Sequence, residues 1–298
     1  MKIRIGIGLT AGSGLGDQTA FAAFVDDCER LGFDSLWVTE RVNAPTLDPI
    51  VAMTFAAART RRMKIGASVM VLPGRNPVLL AKALASLDRV SDGRLLPAFG
   101  LGVANSAEQQ AFGVARNERG RVFDEALPLL HRLWTEEHVS HHGERFHIDD
   151  VTVLPKPVQP HLDVWLGGAS TTELKRCGRM GDGWLPSFCT VESVRVGIDV
   201  VNESAAAANR RIDPEHFGVL LPYVEGSIPE QFATIVQTRN PGADPRDVIA
   251  TSKSQLADRI GAYVAIGASK FVVFPYSAVA DWPEELGTLA ADLLPLQT

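Results

Sequence analysis

The segment KIGASVMVLPGRNPVLLAKALASLDRVSDGRLLPAFGLG, residues Lys64–Gly102, contains the structural unit from which the rest of the fold can be predicted. It opens with the apolar run Lys64–Met70, continues with the helically periodic stretch Pro77–Val90, and closes with a second apolar run, Arg94–Leu101. The helix begins at a proline, and Gly93 follows its end, where a residue tolerant of positive φ is favoured. A strand, a helix and a second strand in this order are typical of a parallel sheet covered by helices.

The same alternation extends in both directions along the 298-residue chain. Most of the strand-like runs are near-continuously apolar, as expected of parallel strands that are buried on both faces. The predicted strands are Lys2–Leu9, Ser35–Glu40, Lys64–Met70, Arg94–Leu101, Asp163–Leu166, Gly183–Pro186, Phe217–Pro222 and Lys270–Pro275. The predicted helices are Thr19–Leu31, Asp48–Thr60, Pro77–Val90, Arg119–Trp134, Thr171–Met180, Val191–Ala208 and Ser254–Ile266. This pattern predicts a single α/β domain spanning residues 1–298, folded as a (β/α)8 TIM barrel.

Two polar segments interrupt the alternation. His138–Pro160 is polar and then proline-rich, and Gly226–Thr251 contains clusters of Pro, Asn, Gly and Asp. We predict that both are insertions, the first after the fourth strand and the second after the seventh, with the second covering the functional site. In a barrel of this kind the chemistry gathers at the C-terminal ends of the strands, so residues at those ends are the first candidates for a site.

The composition of the chain indicates which classes of partner it can bind. Hydrophobic residues make up 46% of the chain and charged residues 21%, which allows a sizeable core. The net charge of -6, with scattered lysines and arginines, argues against a nucleic acid or an anionic membrane as partner and favours a small molecule. Cys28, Cys177 and Cys189 form no paired framework, and no apolar run approaches the roughly 18 residues of a membrane span. We therefore expect a cytoplasmic protein.

Several segments resemble the luciferase-like monooxygenase family: LGFDSLWVTERV (Leu31–Val42), the segment Lys64–Gly102, VTVLPKPVQPHLDVWLGGAS (Val151–Ser170) and RMGDGWLP (Arg179–Pro186). The chain is most similar to the branch that uses coenzyme F420, a 5-deazaflavin, although relatives that use FMN share many of these motifs. The resemblance implies a bacterial luciferase-like barrel, hydride transfer between F420 and a small organic substrate, and a homodimer. An FMN-dependent monooxygenase and a non-catalytic flavin- or deazaflavin-binding barrel are the alternatives.

The first predicted cofactor contact is the junction between the fifth strand and the helix that follows it. Gly167, Gly168, Ala169 and Ser170 form this junction. Small residues there leave backbone N–H groups free to face an anion at the positive N-terminus of the helix. We predict that a phosphate binds at this point; a plain tight turn is the alternative.

Further predicted cofactor-binding residues lie at other strand ends. Ser68 and Val69 end the third strand, where members of the deazaflavin branch often carry a non-prolyl cis peptide behind the ring; an ordinary trans bond is the alternative. Gly102 and Asn105 lie in the loop after the fourth strand. Trp184, in the sixth strand, completes the set, with a packing role as its alternative.

Glu40 and Arg41 end the second strand and form the predicted catalytic pair. A carboxylate and a guanidinium held at the barrel mouth can hydrogen-bond the polar edge of a ring or a substrate oxygen; an exposed surface pair is the alternative. Many deazaflavin relatives have Asp-His here, and because Arg41 stays charged it cannot replace a histidine base. Val103 and Thr190 stand where the sugar-phosphate branch has a glutamate and a phosphate-binding lysine, which argues against a glucose-6-phosphate-like substrate.

An NAD(P)-binding Rossmann fold is a competing interpretation, suggested by Gly6, Gly8 and Ala11. These glycines lie inside the first predicted strand, whereas the dinucleotide-binding motif needs them at the turn into a helix. Eight strand–helix units therefore favour the barrel over a Rossmann fold.

The first insertion contains histidines without the spacing of a zinc site: His138, His141, His142 and His147. The intervening stretch Gly143–Phe146 predicts a hairpin turn. We interpret these histidines as solvated hairpin residues and predict no metal site.

Overall fold

The structure is a computed structural model that describes residues 1–103 and 105–298. Its strands are β1 (Arg4–Gly8), β2 (Ser35–Val38), β3 (Lys64–Ala67), β4 (Met70–Val71), β5 (Leu95–Leu96), β6 (Ala98–Gly100), β7 (Val139–His142), β8 (His147–Val151), β9 (Trp165–Leu166), β10 (Gly183–Trp184), β11 (Gly218–Tyr223) and β12 (Lys270–Pro275). Its α-helices are α1 (Gln18–Leu31), α2 (Pro49–Arg59), α3 (Pro77–Val90), α4 (Ser106–Phe112), α5 (Arg119–Thr135), α6 (Thr171–Met180), α7 (Val191–Ala207), α8 (Glu230–Arg239), α9 (Lys253–Ala265) and α10 (Trp282–Leu293).

Parallel pairing closes the sheet into a ring of eight strand positions. β12, β1, β2 and β3 pair in succession, and β3 pairs with β5. β4 continues β3 and pairs with β6, which pairs with β9, and β9 pairs with β10. Bridges from Trp184 to Phe217 and from Ser187 to Leu220 join β10 to β11, which pairs with β12. The predicted TIM barrel and its eight strand positions are confirmed, and the Rossmann interpretation is wrong.

The barrel interior is filled by a separate apolar cluster built around two tryptophans, which we call the barrel plug. Its buried members are Trp37, Leu96, Ala98, Trp165, Leu185, Leu220, Val272 and Phe274. The rings of Trp37 and Trp165 meet edge to face, with centroids 6.5 Å apart. A Cβ on Gly66 would lie 2.7 Å from the Trp37 ring, and one on Gly183 would lie 2.5 Å from the Trp165 ring. Only glycine therefore fits at either position.

The helices outside the barrel begin and end where local chemistry favours it. Asp17, Asp48 and Asn76 cap α1, α2 and α3 by accepting hydrogen bonds from the first-turn N–H groups. Gly93 has a φ of 71°, as predicted for the residue beyond α3. The seven predicted helices are confirmed to within two residues at each end.

The structure also contains helices that the sequence analysis did not predict: α4, α8 and α10. α4 has only seven residues, too short for a periodic pattern. α8 lies in the second insertion, so that segment is helical in part and not only loop. The first insertion forms the predicted hairpin from β7 and β8, with the N–H of Gly143 donating to the carbonyl of Phe146.

The three cysteines are buried free thiols, as expected. Burial raises the pKa of the Cys189 thiol to about 11, so it is uncharged at neutral pH. Within the described ranges, no helix combines the length and the apolar character needed to cross a membrane.

Candidate active site

A cavity of about 1060 Å³ opens at the C-terminal ends of the barrel strands. Each of the eight strand positions contributes to its wall, and residues of α7 and α8 line it as well. The contributions from the strands and their ends include Gly8, Glu40, Ser68, Gly100, Gly167, Trp184, Leu220 and Phe274. This is the end of a TIM barrel at which active sites lie, and the volume is at the upper end of the usual range for a small-molecule site.

Glu40 is held in the cavity wall by two donors, one from β4 and one from the loop that follows it. Its Oε2 accepts the N–H of Val71 at 2.6 Å, and its Oε1 pairs with the guanidinium of Arg75. Arg75 also donates through Nε to the carbonyl of Val71 at 3.0 Å. The Glu40 side chain is only 7% exposed, and this burial raises its pKa while Arg75 and the Val71 N–H oppose the rise. Glu40 thus ties the second strand position to the third.

Arg41 does not pair with Glu40. Its Nε donates to Oε1 of Glu108 at 2.6 Å, and the Glu108 side chain is 4% exposed. Glu108 therefore braces Arg41 from α4. Within the described part of the chain, neither Nη of Arg41 makes a hydrogen bond, so both remain available to a ligand in the cavity that Arg41 lines.

The peptide bond between Ser68 and Val69 is cis and not trans. The Val69 side chain packs between two glycines. A Cβ on Gly100 would lie 2.6 Å from Cγ2 of Val69, and one on Gly167 would lie 3.2 Å from its Cγ1. The cavity wall here consists of one valine and bare backbone, which offers an apolar surface to a flat ring.

The junction predicted to bind a phosphate is occupied by a carboxylate of the chain itself. Oε2 of Glu173 accepts the N–H groups of Ala169 at 3.2 Å and of Ser170 at 3.0 Å, and Ser170 Oγ donates to it at 2.8 Å. Ser170 in turn caps α6 by accepting the N–H of Glu173, which completes a capping box. The junction does stabilise a negative group, and an incoming phosphate would have to displace Glu173.

Trp184 lines the cavity and is also a core residue, being 1% exposed. Its Nε1 donates to the carbonyl of Gly168 at 2.8 Å, and a Cβ on Gly197 of α7 would lie 2.2 Å from its ring. Gly168 has a φ of 97°, so the indole fixes a backbone conformation that favours glycine. Trp184 positions the junction before α6.

The loop after β6 brings one predicted residue to the cavity and directs another elsewhere. Gly102, with a φ of 81°, lines the cavity and rests on Arg119, whose Nη1 donates to the carbonyl of Leu101 at 2.7 Å. Asn105 is not among the described lining residues. Its Oδ1 caps α4 by accepting the N–H of Ala107 at 3.0 Å. The acceptor oxygen of Asn105 is therefore used inside the chain, and the contact of Asn105 with a cofactor stays a prediction.

Arg239, at the end of α8, brings a positive charge to the rim of the cavity. Its guanidinium lies 4.7 Å from the ring centroid of Phe188, and its Nη1 donates to Oγ of Ser187 at 3.2 Å. Among the described residues no carboxylate forms an ion pair with it. Partial burial lowers the pKa of Arg239, and the Glu173 carboxylate is close enough to oppose this shift.

The sequence model of one family, described as luciferase-like monooxygenase, matches residues 2–240. The chain belongs to the luciferase-like monooxygenase family. A solved structure of similar shape is that of the monooxygenase RslO1 from Streptomyces bottropensis, with a TM-score of 0.81 at 22% identity over 99% of both chains. At this identity the likeness concerns the fold alone.

Two curated relatives have different cofactors in their names. An F420-dependent glucose-6-phosphate dehydrogenase from Kineococcus radiotolerans is 32% identical over 200 residues, 63% of this chain and 56% of the relative. An FMNH2-dependent dimethylsulfone monooxygenase from Pseudomonas putida is 32% identical over 155 residues, 50% of this chain and 42% of the relative. The chain thus spans about half the length of these relatives.

For this member of the luciferase-like monooxygenase family, the cavity gathers every predicted site residue except Asn105. Three residues at the site were not predicted from the sequence: Arg75, Glu173 and Arg239. Glu173 follows Ser170 by three positions, which is the signature of a capping box and could have revealed it. Arg75 and Arg239 reach the site from a loop and from an insertion, and no local pattern marks them.

Proposed function

We propose that the chain is an F420-dependent oxidoreductase that moves a hydride between the deazaflavin ring and a small organic substrate. The observation that carries the proposal is the cavity itself, with an apolar wall at Val69 and an anion-stabilising junction at Ala169 and Ser170. A ring bearing a phosphate on a flexible chain needs both surfaces in one pocket. The relative named as an F420-dependent dehydrogenase supports the choice of cofactor.

The residues present fit such a cofactor. Val69, between Gly100 and Gly167, would support the ring, and the first turn of α6 together with Arg239 would hold the phosphate. When bound, a deazaflavin supplies hydride chemistry, so the chain itself needs no nucleophile. The sequence likewise contains no Gly-x-Ser-x-Gly nucleophile motif and no His-Glu-x-x-His zinc motif.

The chain's own contribution is orientation and charge stabilisation. The free Nη groups of Arg41 can donate to a substrate oxygen as negative charge develops on it. Glu108 fixes the guanidinium from behind, which limits the reorganisation required at that moment. Glu40 is committed to Val71 and Arg75, so its role is to set the wall rather than to exchange protons.

The substrate is proposed to lack a sugar phosphate. Val103 lines the cavity where the sugar-phosphate branch has a glutamate. Thr190, near the place of its phosphate-binding lysine, caps α7 by accepting the N–H of Ser193 at 3.1 Å. Neither side chain offers a positive charge to a substrate phosphate.

Titration of the purified chain with coenzyme F420 and, separately, with FMN tests the cofactor. Intrinsic tryptophan fluorescence reports binding, because Trp184 lines the cavity. We expect tighter binding of F420, followed by turnover when hydride donors or acceptors are screened. Preference for FMN would favour the second candidate, a flavin-dependent monooxygenase, which the Pseudomonas relative supports. Binding without any turnover would favour a carrier barrel, and no binding of either would refute the proposal.

Replacing Arg239 with glutamine is expected to weaken binding of the phosphate-bearing cofactors by about tenfold to a hundredfold, since a charge-assisted hydrogen bond to phosphate contributes about 1.5–3 kcal/mol. Riboflavin and the phosphate-free deazaflavin riboside keep the rings but lack the phosphate, so their affinities should not change. Fluorescence titration of the four ligands measures the difference.

The matched control for Arg239→Gln is Arg132→Gln, which removes a guanidinium that pairs with Glu136 on the surface of α5. The control should bind all four ligands like the unmodified chain. Equal weakening of the phosphate-bearing and phosphate-free ligands by Arg239→Gln would show that Arg239 does not contact the phosphate.

A further inference from the structure

Five ionisable side chains meet at the end of the barrel opposite the cavity. Three of them lie just before the N-terminal ends of strands: Asp163 before β9, Asp182 before β10 and His216 before β11. His131 extends from α5, and His161 lies in the segment that leads to β9. No part of the proposed redox chemistry uses them, and they are not the histidines of the β7–β8 hairpin.

Two distances within this group are close to the spacing of ligands around one ion. Nε2 of His161 lies 3.2 Å from Oδ2 of Asp182 and 3.6 Å from Oδ1 of Asp163. Two donors bound at tetrahedral angles to one zinc ion, with bonds of about 2.0–2.2 Å, lie about 3.3–3.6 Å apart. The ligand atoms of His131, His161 and Asp182 all lie within 4.8 Å of one another.

Groups around the cluster hold its carboxylates in place. Arg210 donates to Oδ1 of Asp182 at 2.9 Å, and the N–H of Val164 donates to its Oδ2 at 3.0 Å. The ring of His131 stacks on that of His161, with centroids 5.7 Å apart and planes within 8°. Such supporting contacts orient ligands before an ion arrives.

The two carboxylates of the cluster differ in their other partners. Within the described chain, Asp182 also pairs with Arg210 at 2.9 Å, whereas the ion-pair partners of Asp163 are the histidines His161 and His216. The ring of His216 is held beside them, because its Nδ1 donates to the main-chain carbonyl of Asp182 at 2.9 Å.

We propose that His131, His161 and Asp182 form a binding site for a divalent transition-metal ion such as Zn²⁺, with Asp163 as a fourth ligand. Imidazole nitrogens with carboxylate oxygens suit zinc, cobalt or nickel better than calcium or magnesium, which prefer all-oxygen sites. The site joins α5, the segment before β9 and the start of β10. At the N-terminal end of the strands its role is to stabilise the barrel, not to take part in catalysis.

Zinc binding by the full chain, after treatment with a chelator and dialysis, tests the site. Isothermal titration should find one strong Zn²⁺ site per chain, and Zn²⁺ should raise the thermal unfolding midpoint. Co²⁺ in the same site should give the visible absorption of a tetrahedral complex. The absence of zinc binding and of any change in the midpoint would overturn the proposal.

His161→Gln is the informative variant, because His161 is 57% exposed and its removal should leave the chain folded. We expect at least tenfold weaker Zn²⁺ binding and loss of the thermal shift. His142→Gln is the matched control, since His142 is 64% exposed and pairs with Asp149 at 3.1 Å on the hairpin. Equal zinc affinity of both variants and the unmodified chain would overturn the proposed site. The measurement uses no flavin or deazaflavin, so its result is independent of the proposed redox function.

Discussion

Replacing Glu40 with alanine is expected to lower the free energy of unfolding by about 3 kcal/mol, the lower end of the usual cost of breaking a buried ion pair. The Glu40 side chain is 7% exposed and that of Arg75 is 21% exposed, so the arginine left behind would keep part of its hydration. The N–H of Val71 would also lose its acceptor in a buried position. Urea denaturation followed by circular dichroism measures the change.

The same substitution is expected to weaken cofactor binding at least about tenfold, or 1.4 kcal/mol. Glu40 anchors the segment that follows Val69, and Val69 forms the apolar wall proposed to support the ring. Fluorescence titration of Glu40→Ala with F420 and FMN gives the loss. Unchanged stability together with unchanged affinity would mean that the Glu40 contacts do not hold the wall.

Two controls separate charge from hydrogen bonding at Glu40. Glu40→Gln keeps an acceptor for the Val71 N–H and removes a charge whose burial is costly, so its stability should stay close to that of the unmodified chain. Glu136→Ala removes an exposed carboxylate that pairs with Arg132 on α5. Surface pairs contribute little, so this variant should remain close to the unmodified chain in stability and binding.

Glu40 also makes the free energy of unfolding depend on pH. Burial raises the pKa of Glu40 above its ordinary value of 4.5, more than Arg75 and the Val71 N–H lower it. The folded chain therefore holds this proton more tightly than the unfolded chain. The resulting stabilisation is complete below pH 4.5 and is lost as the pH rises through the folded-state pKa. Glu40→Gln should remove this component from a series of unfolding curves across that range.

Replacing Trp37 with alanine is expected to lower the free energy of unfolding by about 3–5 kcal/mol, as for other buried aromatic residues truncated to alanine. Trp37 is fully buried in the barrel plug, where Gly66 and Trp165 contact its ring. Strands surround the ring on all sides, so the cavity left behind cannot close by a simple side-chain movement. Chemical denaturation measures the loss.

Trp165→Phe is the matched variant for Trp37→Ala. Nε1 of Trp165 is buried and has no hydrogen-bond partner among the described residues, whereas Nε1 of Trp37 donates to Oγ of Ser35 at 2.9 Å. Removing a buried N–H that has no hydrogen-bond partner also removes the cost of its desolvation. This stabilisation offsets part of the free energy that is lost when the smaller phenylalanine ring makes fewer packing contacts. The loss should therefore be clearly smaller than for Trp37→Ala. Trp37→Phe isolates the nitrogen, because it leaves Oγ of Ser35 without its donor and should lose more than Trp165→Phe. Equal losses for these two phenylalanine variants would show that the partner of each indole nitrogen does not matter.

The barrel could be predicted from the sequence because its strands are short, continuous apolar runs separated by capped helices. Lys64–Ala67 and Pro77–Val90 illustrate this, since each signal lies within a few residues. The junction Gly167–Ser170 was predictable for the same reason. The group that occupies the junction could not be predicted from the sequence, because the position of the Glu173 carboxylate depends on the conformation of its side chain.

Contacts between distant positions account for the rest of the site. Glu40 meets Arg75 35 positions away, and Arg41 meets Glu108 67 positions away. Neither spacing is a local motif, so the sequence alone suggested that Glu40 and Arg41 act as one pair. His131, His161 and Asp182 likewise show no metal-binding spacing and meet only because the barrel brings the bases of its strands together.

The capping box at the start of α6 has a consequence for selectivity. Glu173 is an intramolecular competitor for any anion that approaches Ala169 and Ser170, and tethering gives it a high effective concentration there. A free inorganic phosphate brings no other binding energy with which to displace it. A ligand that also places a ring against Val69 brings that additional binding energy. The junction would therefore bind a phosphate carried on a larger molecule in preference to the abundant small anions of a cell.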